Sequence, residues 1–517
     1  MRLPLLTLTL AVGLTCALSA EAEPIRIESG LIEGLKTGRI HSFAGVPFAE
    51  PPIGPLRWKA PAPVTSWNSV RDAKAHAPAC LQKGVSMPGE DVPAMSEDCL
   101  YLNVWTPSVS PAARLPVLIW IHGGGFKNGN ASMPLYSGEK LAERGIVVVT
   151  VAYRLGAFGF LSHPELSEED PLRTSGNYGL LDQIAALKWV QTNISAFGGD
   201  PGRVTIAGQS AGAMSVSILM ASPLTRGLFA GAIGQSGGFF EPVQLAPRYL
   251  LANAETDGVA FAQSVGARSI SQMRALPAEV IASANAGGIS HPVIEPKVLP
   301  RAPFDVFAAR EQHPVPLLVG VNADEARSLT DMSSVTAARF RDDVTRAFGL
   351  LPPALLDAYG HSSDVQAQQA RADFETDLRF GWNMWAWARL HSARDTNKVF
   401  SYRFERQPPF PSDSIYRSWR AGHFVELWYM FGHLDQQPWK WSRADVELSS
   451  RMIGYWSNFV KTGDPNGRGL PLWPPHRDAN GPLLILDSVV RPGAPSRLPA
   501  LETFDAVYGT LRQQPLR

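Results

Sequence analysis

Short runs of consecutive apolar residues, set between longer stretches with helical spacing, dominate the middle of this chain. Val117–Ile121, Ile146–Ala152, Val204–Ala207, Gly231–Gly234 and Pro316–Val321 read as strands buried on both faces. Leu180–Val190 reads as a helix, and so does the stretch opening at Ala213. Near-continuous apolar strands alternating with helices predict an α/β fold, a mostly parallel central sheet covered by helices. Sheets of this kind carry their functional groups in loops beyond the carboxyl ends of the strands. From about Ala246 to Pro300, and from Asp331 to Asp395, the pattern turns more polar and helical. These stretches are expected to be insertions above the sheet, forming a gorge or cap.

Composition narrows the picture. The chain has 517 residues, 45% of them hydrophobic, with a formal net charge of +0. No linker, repeat or charge block divides it, so residues 23–517 are expected to form one domain despite a length prior that favours more. With no basic stripe to neutralise phosphates, a nucleic-acid partner is not expected. Arg2, the apolar run from Leu3 to about Leu14, and Ala20-Glu21-Ala22 read as a secretory signal peptide over residues 1–22. No later run of about 18 apolar residues suggests an integral membrane span. Past the signal, Cys80 and Cys99 remain, and an even pair in an exported chain favours a disulfide. Such a bridge would contribute roughly 3 kcal/mol in the chain-entropy model.

The chemistry gathers at Gly208-Gln209-Ser210-Ala211-Gly212, a G-x-S-x-G pattern between a predicted strand and a predicted helix. That context marks a nucleophile elbow, with the serine held on a sharp turn. A serine hydroxyl needs a base, an acid to orient the base, and donors for the developing oxyanion. His122-Gly123-Gly124-Gly125-Phe126, directly after a strand, supplies a glycine loop. The expected donors are the N–H groups of Gly124, Gly125 and Ala211. The acid should follow Ser210, and the strand ending near Val321 leads to Asp324 and Glu325, between which residue patterning does not choose. Of the later histidines, His423 sits after a glycine and before an apolar aromatic anchor, with His433 as the runner-up. Phe126, Phe239, Phe240, Trp419 and Trp428 are candidates to line a substrate pocket, or equally to fill the core.

Several motifs in order resemble the type-B carboxylesterase (cholinesterase-like) family of the α/β-hydrolase fold. They are Phe43–Pro52, Pro55–Trp58, Ser96–Asn103, Phe197–Pro201 leading into the elbow, and Trp456–Asn466. The resemblance covers nearly the whole chain past the signal. It implies a Ser–Glu–His triad of Ser210, Glu325 and His423, choosing Glu325 over Asp324 and His423 over His433. It makes Glu426 a structural partner and Ser236 a neighbour hydrogen-bonded near the acid. It matches Cys80 and Cys99 to a disulfide, and suggests ion pairs Arg57–Glu97 and Arg154–Asp200. It implies hydrolysis of a small-molecule ester with no metal or organic cofactor. Two positions depart from the family pattern: Gln209 stands where many members have Glu, and Ala326 where Gly is usual. Gln209 removes a negative charge beside the nucleophile and argues against a cationic substrate. A lipase acting on emulsified esters and a catalytically silent binding protein are the alternatives on the same fold.

Overall fold

The computed structural model describes residues 20–85, 93–349, 351–393, 398–478 and 480–515. Most of the expected signal peptide lies outside them. Its last residues do not: Ala20–Glu21 form a short edge strand, β1, paired with Leu35 and Lys36.

The main sheet has twelve strands. After β1 come β2 (Leu35–Thr37), β3 (Ile40–Pro47), β4 (Tyr101–Thr106), β5 (Leu115–Ile121) and β6 (Val147–Val151). Then come β7 (Gly199–Gln209), β8 (Gly231–Gln235), β9 (Leu317–Asn322), β10 (Val399–Phe404), β11 (Leu483–Leu486) and β12 (Arg491–Gly493). Their spatial order is β1-β2-β3-β4-β6-β5-β7-β8-β9-β10-β11-β12. From β6 to β11 neighbouring strands run parallel. The flanks β1–β4 and β12 are antiparallel. This is the α/β-hydrolase architecture, with the expected parallel centre and an antiparallel margin that the apolar runs did not reveal. The margin mixes polar with apolar positions: β3 has partly exposed His41, Ser42 and Gly45, and β4 buries Asn103 and Thr106, so neither offers a continuous apolar run.

Both faces of the parallel centre are covered. Val117, Ile119 and Ile121 of β5 enter one core, while Leu118 and Trp120 enter another on the opposite face. The period of two along a strand divides the side chains in this way. Helices α1 (Tyr178–Asn193) and α2 (Ala211–Ala221) contribute to the first core. So does α4 (Trp382–Ser392), which follows α3 (Asp364–Thr376). Helices α5 (Glu426–Phe431) and α6 (Arg443–Thr462) contribute to the second. The chain closes with α7 (Leu498–Arg512). The insertion after Ala246 has a smaller core of its own, in which Phe261, Ile270, Met273 and Ile281 pack with Trp58, Phe158 and Tyr178.

Cys80 and Cys99 form the expected disulfide. Arg57 makes a fork onto Glu97 through Nε and Nη2, as expected, and its Nη1 donates to the carbonyls of Met273 and Leu276. The pairing of Arg154 with Asp200 is not formed. Arg154 instead donates from Nε and Nη2 to Asp182 of α1 at 2.8 and 2.7 Å, and both residues are buried. Asp182 also accepts the Arg154 backbone N–H at 2.9 Å. Asp182 gives the buried guanidinium a bidentate carboxylate that also takes the backbone N–H of the same residue. Asp200 is held by Arg114 and by the Gly202 N–H. No described helix is long and apolar enough to cross a membrane.

Candidate active site

Ser210 occupies the turn between β7 and α2 with φ 56° and ψ −125°. A non-glycine residue there costs of order 1–3 kcal/mol and persists only where its surroundings impose it. They do so by close backbone approach. A β-carbon at Gly212 would stand 2.0 Å from the carbonyl oxygen of Ile121, and one at Gly208 would stand 2.4 Å from the carbonyl carbon of Gly212. The Ser210 N–H donates to Gln235 O at 2.9 Å, tying the turn to the end of β8.

The glycine loop after β5 lies against this turn. A β-carbon at Gly123 would come within 2.9 Å of the Ser210 β-carbon. Gly124 and Gly125 both take positive φ, 104° and 63°. Among the described residues, none of the N–H groups of Gly124, Gly125 and Ala211 has a hydrogen-bond partner. Ala211 is the first residue of α2, where the helix leaves its leading N–H groups unpaired. His122 anchors the base of the loop. Its ring stacks on Tyr153 at 4.4 Å, and the Tyr153 hydroxyl donates to His122 O at 2.9 Å. Burial pushes the His122 imidazole down to about 4, so it stays neutral near pH 7.

Glu325 lies just past β9, and its Oε2 is 2.6 Å from Nδ1 of His423. Its other oxygen accepts the Asn322 N–H at 2.6 Å. Both side chains are buried. The Ser328 hydroxyl joins their two loops, accepting the His423 N–H at 2.8 Å and donating to Glu325 O at 3.2 Å. The other candidates are engaged elsewhere. Asp324 pairs with Arg327, and His433 makes a 2.9 Å bond to Ser137 O.

The ring of His423 is held from above and below. Phe380 stacks on it at 4.5 Å with an interplanar angle of 19°. The amide Nε2 of Gln209 is 3.2 Å from Nδ1 and 3.1 Å from Nε2 of the imidazole. An atom in the ring plane at those distances would collide with the carbon between the two nitrogens. The amide therefore lies over a ring face, and Phe380 leaves it the other one. The Ser210 hydroxyl has no hydrogen-bond partner among the described residues. Its link to the histidine runs through the adjacent Gln209, and catalytic bonds of this type often close only around substrate.

A second carboxylate is packed behind the first. Glu426 is fully buried, accepts from Asn322 and Gln235, and opens α5. Burial first, then the charge of Glu325, raises it to about 8. Near neutrality Glu426 is protonated, which spares this pocket a second negative charge.

The expectation for Ser236 is not met. Its hydroxyl is buried with no hydrogen-bond partner among the described residues. Position 236 contributes backbone instead: a turn at φ 52° and an N–H donated to Gly320 O at 2.8 Å. The next residue shows why space is short, since a β-carbon at Gly237 would meet Ser210 O at 2.2 Å. The pocket aromatics do not form one wall. Phe126 packs on Phe160, Phe239 on Tyr249, and Phe240 on Phe307 and Trp387. Trp428 and Trp419 lie in the core on the opposite face of the sheet.

Sequence reasoning missed Phe380 and Ser328. Phe380 belongs to a π-helical turn, Asp377–Gly381, between α3 and α4. Such turns recur at functional sites and leave no mark in apolar periodicity. Asp377 fixes the turn by accepting two 2.7 Å bonds from Arg497 and one of 2.8 Å from the Tyr359 hydroxyl.

Comparison with known proteins bears on the family and the fold. A family model described as the carboxylesterase family matches residues 21–494. Fumonisin B1 esterase of Sphingopyxis macrogoltabida is 35% identical, the match covering 93% of this chain and 92% of that protein. Para-nitrobenzyl esterase of Bacillus subtilis (strain 168) is also 35% identical, with 90% and 95% covered. Among solved structures, a thermophilic PNB esterase superposes with a TM-score of 0.81 at 33% identity, covering 93% of this chain and 99% of its own.

Proposed function

The chain belongs to the carboxylesterase family, and from that premise we propose that its ester hydrolysis runs through Ser210, His423 and Glu325. The protein is a serine carboxylic-ester hydrolase acting on small-molecule esters. In the proposed mechanism the Ser210 oxygen attacks the ester carbonyl while His423 Nε2 takes the hydroxyl proton. Glu325, bonded to Nδ1, holds the other ring proton in place and balances the imidazolium charge. The tetrahedral oxyanion lies within reach of the unpaired N–H groups of Gly124, Gly125 and Ala211. Each such donor typically lowers the barrier by about 3 kcal/mol. His423 then returns the proton to the leaving alkoxide. A water, deprotonated by the same nitrogen, releases the acid from the acyl-enzyme.

The observation that carries this reading is the 2.6 Å Glu325–His423 bond beside a strained serine and three unpaired N–H groups. Fluorophosphonate labelling with peptide mapping tests it. The label is expected on Ser210, and an active enzyme labelled elsewhere overturns the assignment. We place the protein in a secreted or periplasmic compartment, supported by the Cys80–Cys99 disulfide and the signal-like pattern of residues 1–22. Amino-terminal sequencing of the exported protein is expected to begin near Ala22, and retention of Met1 on the mature protein would refute that placement.

A further inference from the structure

The helical stretch at the start of α4 reaches both reacting groups. Phe380, within the π-helical turn, stacks on the His423 ring at 4.5 Å. Met384, in the first turn of α4, is buried, and its thioether sulfur accepts the Gly237 N–H at 3.2 Å. Residues four apart on a helical stretch stand on the same side, one turn from each other. One side of this stretch thus meets the base through Phe380 and the neighbour of the nucleophile through Met384.

Gly237 lies directly on the nucleophile's backbone. A β-carbon there would stand 2.2 Å from Ser210 O and 3.1 Å from Ser210 Cα. The end of β8 is pinned by the sheet side: the Ser210 N–H donates to Gln235 O at 2.9 Å, and the Ser236 N–H to Gly320 O at 2.8 Å. Past that point α4 takes over. After the Gly237–Met384 bond, the Phe240 N–H donates to Asn383 Oδ1 at 3.1 Å. Asn383 Nδ2 in turn donates to Glu241 Oε1 at 2.7 Å. A β-carbon at Gly238 would stand 3.1 Å from Asn383 Cβ, so loop and helix are in direct contact. A thioether is a weak acceptor, yet a buried N–H without any partner is costly. Gly237 is therefore held where the sulfur can meet it. The helix start has its own anchor, since a β-carbon at Gly381 would stand 2.6 Å from Asp377 Oδ1, and Arg497 grips that carboxylate.

We propose that Met384 is a positioning residue for Ser210, and that with Phe380 it makes the start of α4 the element that sets the spacing between nucleophile and base. The proposal rests on the Ser210–His423 reading. Met384 acts through Gly237 on the Ser210 backbone, and not on substrate.

The test is Met384→Leu, which keeps an apolar side chain of similar volume and removes the acceptor. With para-nitrophenyl butyrate, kcat is expected to fall about tenfold while KM stays within about twofold of wild type. The rate of fluorophosphonate reaction at Ser210, which reads the nucleophile directly, should fall by a similar factor. Met273→Leu makes the same exchange at a buried methionine of the insertion core, and its kcat should match wild type. In the Phe380→Ala/Met384→Leu double variant the losses should not multiply. Its kcat is expected within about threefold of the Phe380→Ala value, because either change alone misplaces the pair. Wild-type kcat in Met384→Leu overturns the proposal. So does a raised KM with kcat intact, which would place Met384 in the substrate site, and so does an equal loss in Met273→Leu, which would mark general packing. A double variant whose loss is the product of the two single losses overturns the shared element. Failure of the underlying reading looks different: fluorophosphonate would label an active enzyme at a residue other than Ser210, whatever stands at position 384.

Discussion

The two halves of the candidate site are held by different physics. The nucleophile half is local and made of backbone. Val204 to Ala221 supplies the strand, the strained serine and the helix in one stretch, and glycines let main chains touch. The base half is assembled from β9, the loop at Gly422–Val425 and the π-helical turn at Asp377–Gly381, and is held by side chains. Ser328 bridges its loops, Glu325 and Phe380 fix the imidazole, and a protonated Glu426 stands behind. The nucleophile half cannot yield gradually, because a clash at 2.0 Å leaves no intermediate setting. The base half can be tuned contact by contact.

Substitutions should expose that contrast. Removing the nucleophile with Ser210→Ala is expected to cut kcat by roughly a millionfold, with the urea midpoint close to wild type. Gly212→Ala should break the first half as a unit. The added methyl meets Ile121 O, and overpacking of this kind costs about 1–3 kcal/mol or more, so the urea midpoint and kcat are expected to drop together. A stable, fully active Gly212→Ala protein would erase the distinction.

In the second half, Phe380→Ala is expected to lower kcat by about one to two orders of magnitude, the usual cost of a misplaced catalytic group. KM should move little, and Phe380→Tyr should restore most of the rate. A rise in KM without loss of kcat would make Phe380 a substrate contact instead of a brace for His423. Ser328→Ala should have a smaller effect. It leaves the buried His423 N–H without an acceptor, for about 1–3 kcal/mol of stability and a modest loss of kcat.

Glu426→Gln should change kcat least, and its effect on stability depends on pH. Folded Glu426 keeps its proton up to about 8, against an ordinary value of 4.5. Above pH 4.5 the unfolded chain releases that proton and the folded chain does not, so wild-type stability declines as pH rises towards about 8. The glutamine variant lacks this dependence. Its urea midpoint, relative to wild type, is expected to increase between pH 5 and pH 8, and a constant difference would show that Glu426 is ionised throughout.

The same division governed what the sequence could reveal. Ser210 and the loop at Gly124–Gly125 are contiguous patterns beside apolar strands, so residues alone exposed them. Glu325 and His423 are far apart in the chain, and family resemblance was needed to choose them over Asp324 and His433. Phe380 has no local signature, because its role arises from a widened helical turn whose anchor, Arg497, lies on a different element. The errors share one cause. The partners proposed for Ser236 and Arg154 were side-chain contacts between segments distant in sequence, and packing chose differently, leaving the Ser236 hydroxyl without a partner among the described residues and pairing Arg154 with Asp182. The antiparallel strands β1–β4 escaped notice because strands that mix polar with apolar positions have no continuous apolar run.

The grip of Arg497 on Asp377 has a bearing on biosynthesis. A ribosome delivers Ser210, the glycine loop, Glu325 and His423 well before it delivers Arg497 and α7. Until that arginine arrives, the turn carrying Phe380 lacks its clamp, and the imidazole lacks a firm backing. The nascent chain should thus carry a complete set of reactive groups while remaining a poor catalyst. Full activity is expected only once the segment carrying Arg497 has packed against the turn at Asp377–Gly381.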